Sequence, residues 1–303
     1  MEEELISVIM STYNEKEEWI INSINSILNQ TYSNLEIIIT QDNPDNLNLT
    51  YLLREYQKKD SRIKVIINQQ NIGLVSSLNN ALKICNGNYV ARMDADDIAD
   101  IKRIEEEFKY LKKNNYDIIG CEVQTINEFG NVINPKAFKY RSDKSIKKYI
   151  KFASPLAHPT WLVKKEVYTK LCGYRNITSC EDYDFLIRAF NSGYKIGICK
   201  GVFLSYRINK NSISHSNLLK QSLSANFLHQ NFKSIDDISQ VDLDHYLESN
   251  LSNDDMKRFN KCCLNVEKSK NIITIIKSCF YSKFYFKYVL RKIRICLIDI
   301  LQR

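Results

Sequence analysis

The chain has 303 residues, a net charge of +8 and 44% hydrophobic residues, enough apolar content for a sizeable core in one large domain or two, which excludes a disordered or fibrous chain. Met1 to Met10 carries three glutamates and no basic residue ahead of a short apolar run, the wrong charge pattern for a secretory signal, so a cytoplasmic protein is expected. Nine cysteines, an odd number without Cys-x-x-Cys spacing, point neither to a disulfide framework nor to a zinc site and read as reduced, mostly buried thiols.

From Leu5 to Met93 short β-branched runs alternate with longer segments of helical period. Strands are predicted at Ile6–Met10, Leu35–Thr40, Ile63–Asn68 and Tyr89–Met93, with helices near Glu17–Asn29, Leu47–Lys59 and Leu74–Cys85 between them. That alternation predicts right-handed βαβ units and an α/β fold with a mostly parallel sheet, whose ligands bind beyond the carboxyl ends of the strands. A helix near Ile101–Asn114 follows, and Asp117–Phe138 reads as strand, turn at Gly130-Asn131, strand. Next come an Ala157-His-Pro-Thr160 loop with a strand to Val163, a helix near Lys164–Leu171, and the turn Gly173-Tyr174. Cys180-Glu-Asp-Tyr-Asp184 opens an amphipathic helix to about Asn191, ahead of strands at Lys195–Cys199 and Val202–Tyr206. Beyond Ser216 the sequence turns helical and polar, so a catalytic domain over 1–216 and a helical region over 217–303 are expected.

The densest chemistry lies at Tyr89-Val-Ala-Arg-Met-Asp-Ala-Asp-Asp97, where an apolar run ends in three carboxylates within four positions. Hard cations such as Mg²⁺ or Mn²⁺ take oxygen ligands from one or two carboxylates together with substrate phosphates, which suits Asp94, Asp96 and Asp97. The plain alternative is an acidic cap on the following helix, since Asp favours that position.

In order along the chain, Ser7-Val-Ile-Met-Ser-Thr-Tyr-Asn14, Asn71-Ile-Gly73, Gly87 to Asp97, His158-Pro-Thr160, Gly173-Tyr174 and Glu181-Asp182 resemble the landmarks of the family 2 glycosyltransferases, enzymes of the Rossmann-like GT-A fold. The resemblance runs from about Ile6 to Ser214. It implies transfer of a sugar from a UDP-sugar to an acceptor hydroxyl with inversion, on a surface glycan such as lipopolysaccharide or capsule. By the same resemblance Thr12, Tyr13, Asn14, Glu15 and Asp42 hold the nucleobase, with Asn71 and Gly73 in the nucleotide site. A carboxylate accepts the N3–H of uracil and a tyrosine ring stacks on it. Asp94 and Asp96 would contact the ribose and a Mn²⁺ or Mg²⁺ ion that neutralises the departing diphosphate. The resemblance assigns the catalytic base to Asp182, with Glu181 as its orienting or acceptor-binding neighbour. Read alone, both are ordinary helix-start residues.

Arg207 and Ser212-Ile-Ser214 resemble the segment that closes over the diphosphate, and a guanidinium suits phosphate through its bidentate fork. His215 is a candidate metal or phosphate ligand, with a solvated surface histidine as the plain reading. His158 either lines the acceptor site or only shapes its turn. Two departures stand out: Gln41-Asp42 where the family often has paired aspartates, and Ser11 where proline is common.

Lys268 to Arg303 holds nine basic residues against Asp299 alone, which accounts for the whole net charge of +8. Lysines at 277 and 283 interrupt its aromatic and aliphatic runs, so no stretch reaches the roughly 18 apolar residues of a membrane span. Peripheral attachment to the cytoplasmic face of an anionic membrane is expected, since each basic residue near such a surface contributes on the order of 1 kcal/mol. The competing reading has Leu290, Ile293, Leu297 and Leu301 packing on the catalytic domain or a second subunit. Nucleic-acid binding ranks last because no such motif accompanies the charge. Two rival functions are a nucleotidyltransferase, which needs a basic glycine-rich loop where Ser11–Glu15 is acidic, and a silent sugar-nucleotide-binding scaffold, which should have lost an acidic motif.

Overall fold

The computed structural model describes residues 4–177, 179–208, 218–269 and 271–300. They fall into two compact units, an α/β unit of Met1–Asp143, Leu156–Asn176 and Arg188–Asn209, and a helical unit of Lys144–Pro155, Ile177–Ile187 and Lys210–Arg303. The helical unit therefore draws on the middle of the chain as well as on its last third.

The α/β unit carries the sheet. Its first four long strands are β1 (Ile6–Thr12), β2 (Leu35–Gln41), β3 (Ile63–Ile67) and β4 (Tyr89–Asp94). They lie parallel in the order β3-β2-β1-β4. Strands covered on both faces read as near-continuous apolar runs, and Ile37, Ile38 and Ile39 of β2 are fully buried. The connecting helices are α1 (Glu17–Leu28), α2 (Leu47–Lys59) and α3 (Gly73–Ile84). On α1 the buried Trp19, Ile20, Ser23, Ile24 and Ile27 form one helical stripe. Asn46 caps α2 by accepting from the Leu49 amide at 3.1 Å.

Beyond β4 the sheet becomes mixed. A two-residue strand β5 (Ile98–Ala99) follows the acidic loop, then come α4 (Arg103–Asn114), β6 (Ile118–Ile126) and β7 (Val132–Phe138). Strand β8 (Leu162–Lys164) runs antiparallel to both β4 and β6. The two strands expected at Lys195–Cys199 and Val202–Tyr206 are one, β9 (Ile196–Arg207), parallel to β6. The register jumps from Cys121↔Cys199 to Glu122↔Val202, so Lys200 and Gly201 bulge out. Gly201 has a φ of 126°, and its amide donates to Glu122 Oε2 at 2.9 Å. The glycine reads locally as a break, whereas the long-range partner Glu122 keeps the strand in the sheet.

A buried carboxylate ties β1, β2 and the turn before β4 together. Glu36 accepts from Ser7 Oγ at 2.5 Å, Lys64 Nζ at 2.6 Å and the Gly87 amide at 3.1 Å. Burial opposes its charge, but the Lys64, Ser7 and Asn86 bonds outweigh it and hold the carboxyl at about 2, below its ordinary 4.5. A depressed folded-state pKa stabilises above the unfolded value, so this contribution is lost as pH falls from 4.5 through about 2. Glu36→Gln is expected to cost about 2 kcal/mol in urea unfolding at pH 7 and to flatten the acid limb of stability in that window. An unchanged midpoint would show that the bonds to Glu36 carry no net stability.

The helical unit contains α5 (Asp143–Tyr149), the start of α7 (Glu181–Asn191), α8 (Leu218–Gln230), α9 (Gln240–Asn250), α10 (Asn253–Ser269), α11 (Ile272–Tyr281) and α12 (Lys283–Ile300). Between the sheet strands of the other unit, α6 spans Lys165–Lys170. Ser239 and Asp242 form a reciprocal capping box on α9. The core of the unit includes Leu223, Leu228, Leu243, Phe259 and Phe284, with Tyr285 and Tyr288 packed 5.9 and 5.7 Å from the Phe259 ring. Leu290, Ile293 and Leu297 are 38%, 49% and 49% exposed, so within this chain they do not pack inward; Leu301 lies outside the described residues. No helix among the described residues is long and apolar enough to cross a membrane. All nine cysteines are free thiols and five are buried.

Candidate active site

The residues singled out in the first half converge at the carboxyl ends of β1, β2 and β4. Ser11 pairs with Asp94 and Thr12 with Gln41, so the loop after β1 lies between the ends of its two neighbours. Glu15 folds back over that loop, accepting from Thr12 Oγ1 at 2.7 Å and from the Tyr13 amide at 2.8 Å. Asn14 accepts from Asn43 Nδ2 at 2.6 Å, which joins this loop to the one after β2. Tyr13 is 43% exposed, leaving its ring face open to a ligand.

Asp42 is buried at the end of β2. Its Oδ1 accepts from Asn68 Nδ2 at 2.8 Å and the Ile72 amide at 2.9 Å, and its Oδ2 accepts from the Gly73 amide at 2.8 Å. Asn71 Oδ1 also accepts from the Gly73 amide, at 3.1 Å. Gly73 has a φ of 83°, a left-handed conformation that glycine adopts without penalty. Asp42 thus ties the Asn71-Ile-Gly73 turn to β2 and retains acceptor capacity on Oδ2.

The three carboxylates stand where β4 ends. One oxygen from each of Asp94, Asp96 and Asp97 lies within 4.8 Å of the others. Burial, then the neighbouring charges of Asp94 and Glu15, push Asp96 up to about 7. Burial, then Asp94 and Asp96, push Asp97 well above the usual carboxylate range. Asp97 Oδ1 accepts the Arg207 amide at 2.7 Å, whereas its buried Oδ2 has no hydrogen-bond partner among the described residues. Converging, destabilised carboxylates with an orphaned oxygen are the donor set of a hard divalent cation, so these residues fit Mg²⁺ or Mn²⁺.

Arg92, which the sequence reading passed over, is buried and ion-paired with Asp94. The signal was present, because residues two apart on a strand share a face. Burial, then the Arg92 charge, hold His158 well below its usual pKa. His158 Nε2 lies 2.8 Å from the Tyr174 hydroxyl, which lies 2.9 Å from that of Tyr168. Asn79 fixes the Gly173-Tyr174 turn, accepting the Tyr174 amide at 2.9 Å and donating to its carbonyl at 2.8 Å. His158 therefore belongs to a packed polar and aromatic cluster of the α/β unit.

Arg207 closes the acidic loop from the far end of β9. Its Nε donates to the Asp96 carbonyl at 2.7 Å and its Nη1 to those of Asn127 and Glu128 at 3.0 and 3.1 Å. The guanidinium also lies 5.0 Å from the Trp19 ring centroid. Three donor contacts to main-chain carbonyls make Arg207 a clamp on the loop. Ser212, Ser214 and His215 lie outside the described residues. Glu181 and Asp182 occupy the first turn of α7 in the helical unit.

A mixed sheet whose parallel half ends in the β1 and β2 loops and an Asp-x-Asp-Asp motif has the architecture of the GT-A fold. Residues 7–172 match the model of the glycosyl transferase family 2, and the chain belongs to that family. An uncharacterized glycosyltransferase of Methanocaldococcus jannaschii is 40% identical over 227 residues, 74% of this chain and 77% of its own. The O-antigen biosynthesis glycosyltransferase WbnJ of Escherichia coli is 35% identical over 218 residues, 71% of this chain and 84% of its own. A further E. coli relative, the UDP-Glc:α-D-GlcNAc-diphosphoundecaprenol β-1,3-glucosyltransferase WfgD, is 33% identical over 143 residues, 46% of this chain and 55% of its own. Among solved structures, Staphylococcus aureus TarS 1–349 in complex with UDP-GlcNAc superposes with a TM-score of 0.61 at 18% identity, covering 80% of this chain and 70% of that one.

Proposed function

We propose that this glycosyltransferase takes its sugar from a UDP-sugar, transfers it with inversion to the hydroxyl of a lipid-linked surface glycan, and depends on Mg²⁺ or Mn²⁺. The observation that carries this reading is the convergence of Asp94, Asp96 and Asp97 within 4.8 Å beside the Thr12–Glu15 loop. The exposed Tyr13 ring stacks on uracil, and the remaining acceptor capacity of Asp42 receives its N3–H. Thr12, Asn14 and Glu15 shape that loop, while Asn71 and Gly73 form the facing turn. Asp94 and Asp96 hold the cation, which supplies Lewis-acid neutralisation of the leaving diphosphate. Among the described residues the Nη2 donors of Arg207 make no hydrogen bond, so they are offered to a phosphate oxygen, with His215 as a candidate second contact.

Asp182 takes the proton of the acceptor hydroxyl as its oxygen forms a bond to the anomeric carbon. The carbon–oxygen bond to UDP breaks at the same time, and its electron pair departs on the diphosphate. Glu181 orients the base. UDP release from a panel of UDP-sugars with Mg²⁺ or Mn²⁺ tests the reading: turnover of one donor supports it, whereas failure to bind UDP in calorimetry would sink it.

The helical unit supplies a membrane-facing surface in the same reading. Ile272, Ile273, Ile276 and Phe280 of α11 are exposed at helical spacing, and Phe286, Leu290, Ile293, Leu297 and Ile300 form an exposed stripe on α12. Both stripes lie among the basic residues of the tail, which matches an anionic leaflet with an apolar interior. Replacing Phe280, Ile293 and Leu297 together by serine is expected to lower co-sedimentation with phosphatidylglycerol vesicles at least tenfold. Unchanged sedimentation would remove the membrane from the proposal.

A further inference from the structure

The α/β unit carries an open groove of about 470 Å³ between α1, β5 and the turn that joins β6 to β7, within the roughly 300–1,000 Å³ of ligand sites. Thr12 to Glu15, Asp42, Asp94, Asp96 and Asp97 stand outside its lining, and Arg207 alone is shared with the acidic loop. Glu18, Asn22, Asn25 and Asn29 follow one another along α1 in steps of four, three and four, a straight polar stripe about 16 Å long. Three of its four side chains are carboxamides. Asparagine is a weak helix former, and a stripe that only met water would be better served by lysine, glutamate or glutamine. Among the described residues the side chains of Asn22 and Asn29 make no hydrogen bond. Asn25 accepts from the Tyr56 hydroxyl at 3.2 Å, which fixes its Oδ1 and leaves its Nδ2 donors unused.

The facing wall is rigid. Asn127 Oδ1 accepts the Phe129 amide at 3.0 Å and the Asn131 amide at 2.9 Å, and Gly130 completes the turn at a φ of 84°. Trp19 Nε1 donates to the Glu128 carbonyl at 3.2 Å and Arg207 Nη1 to the same oxygen at 3.1 Å, which fastens the turn to α1 and β9. Phe129 is thereby held at the lip of the groove while 79% exposed. An apolar ring presented by an anchored turn is a stacking platform. Charge narrows the class of ligand. Glu18 and Glu128 outnumber Arg207 on the lining, and three hydrogen bonds of that guanidinium already go to main-chain carbonyls, so phosphates and carboxylates are disfavoured. A carboxamide offers a donor and an acceptor together, the complement of a hydroxyl, whereas a cation would use the acceptor alone. An uncharged molecule with many hydroxyls and an apolar C–H face matches the stripe, the ring and the charge, and that is the chemistry of a pyranose.

We propose that this groove is a second saccharide site, apart from the reacting centre, that holds an uncharged stretch of glycan. Asn22, Asn25 and Asn29 meet its hydroxyls, and Phe129 lies against the C–H face of one pyranose. No bond is made or broken there. A glycan gripped in this way stays at high effective concentration between one transfer and the next. The site goes beyond the donor, cation and base assignments and needs none of them.

The test titrates the full chain, in EDTA and without nucleotide, with maltotriose, cellotriose and tri-N-acetylchitotriose as neutral probes and trigalacturonate as the anionic one, followed by ligand-observed NMR. At least one neutral trisaccharide is expected to bind, and trigalacturonate to bind about tenfold more weakly or less. Phe129→Ala, and Asn22→Ala combined with Asn29→Ala, should each weaken the neutral probe about tenfold. Phe129→Trp should keep it within about threefold. Alanine favours a helix more than asparagine does, and Phe129 is exposed, so melting temperatures should not fall and lost binding could not be put down to unfolding. Equal affinity in wild type and in the Phe129→Ala and asparagine variants would overturn the proposal by placing the sugar elsewhere. So would a wild type that binds no neutral probe, or one that prefers trigalacturonate. A wild type that binds a neutral trisaccharide through these residues but fails to bind UDP would remove the donor reading and leave this site standing.

Discussion

Asp96→Ala is expected to lower kcat/KM for sugar transfer by about 10³ or more and to abolish the proposed dependence on Mg²⁺ or Mn²⁺, because it removes a carboxylate from the set proposed to hold the cation. The same residue sets a pH signature. Asp96 is pushed up to about 7 by burial and by its acidic neighbours, so cation affinity should rise with pH until about 7 and then level. The sign for stability is opposite in the cation-free protein. A carboxyl with a raised folded-state pKa binds more protons folded than unfolded, so stability should fall as pH rises from about 4 to about 7. Added Mg²⁺ should return what was lost. Thermal melts across that range in EDTA and in Mg²⁺ check the point, and parallel curves would mean that no cation binds among these carboxylates.

Asp182→Asn should reduce kcat by about 10² to 10⁴, the range for loss of a general base, while UDP affinity stays within twofold of wild type. Asparagine keeps the shape and removes the proton acceptor. Thr12, Tyr13, Asp42 and Asp96, proposed for the nucleotide and cation, belong to the α/β unit, whereas Asp182 belongs to the helical one, which is why the two readings should separate. Wild-type kcat in the variant would return Glu181-Asp182 to the role of an ordinary helix start.

Much of the α/β unit was legible because its strands are covered on both faces and its helices carry clean stripes. Ile6–Thr12, Leu35–Gln41 and Leu47–Lys59 fall within two residues of the pattern. The second half was harder for two physical reasons. In β9 a local break at Lys200-Gly201 is overridden by pairing with β6, more than seventy positions earlier. Strands as short as Ile98–Ala99 and Leu162–Lys164 owe their existence to partners rather than to propensity. At the strand ends, residue types singled out Thr12–Glu15, Asp42 and Asp94–Asp97, which the fold brings together, but their hydrogen bonds did not follow from them. Asp42 proved to be a brace for the Asn71-Ile-Gly73 turn, and Arg207 a clamp on main-chain oxygens. Such partners are set by tertiary distance, which single-sequence patterns do not encode.

The contact between the Arg207 amide and Asp97 spans 110 positions, and the guanidinium of the same residue fastens the loop at Asp96. Synthesis proceeds from the amino terminus, so the β1 and β2 loops exist on the ribosome well before the acidic loop acquires its last anchor. A nascent chain stopped short of Arg207 would carry the loops after β1 and β2 without these anchors on Asp96 and Asp97. The acidic loop is thereby fastened only after translation has passed Glu181 and Asp182, which precede Arg207 by about twenty-six residues.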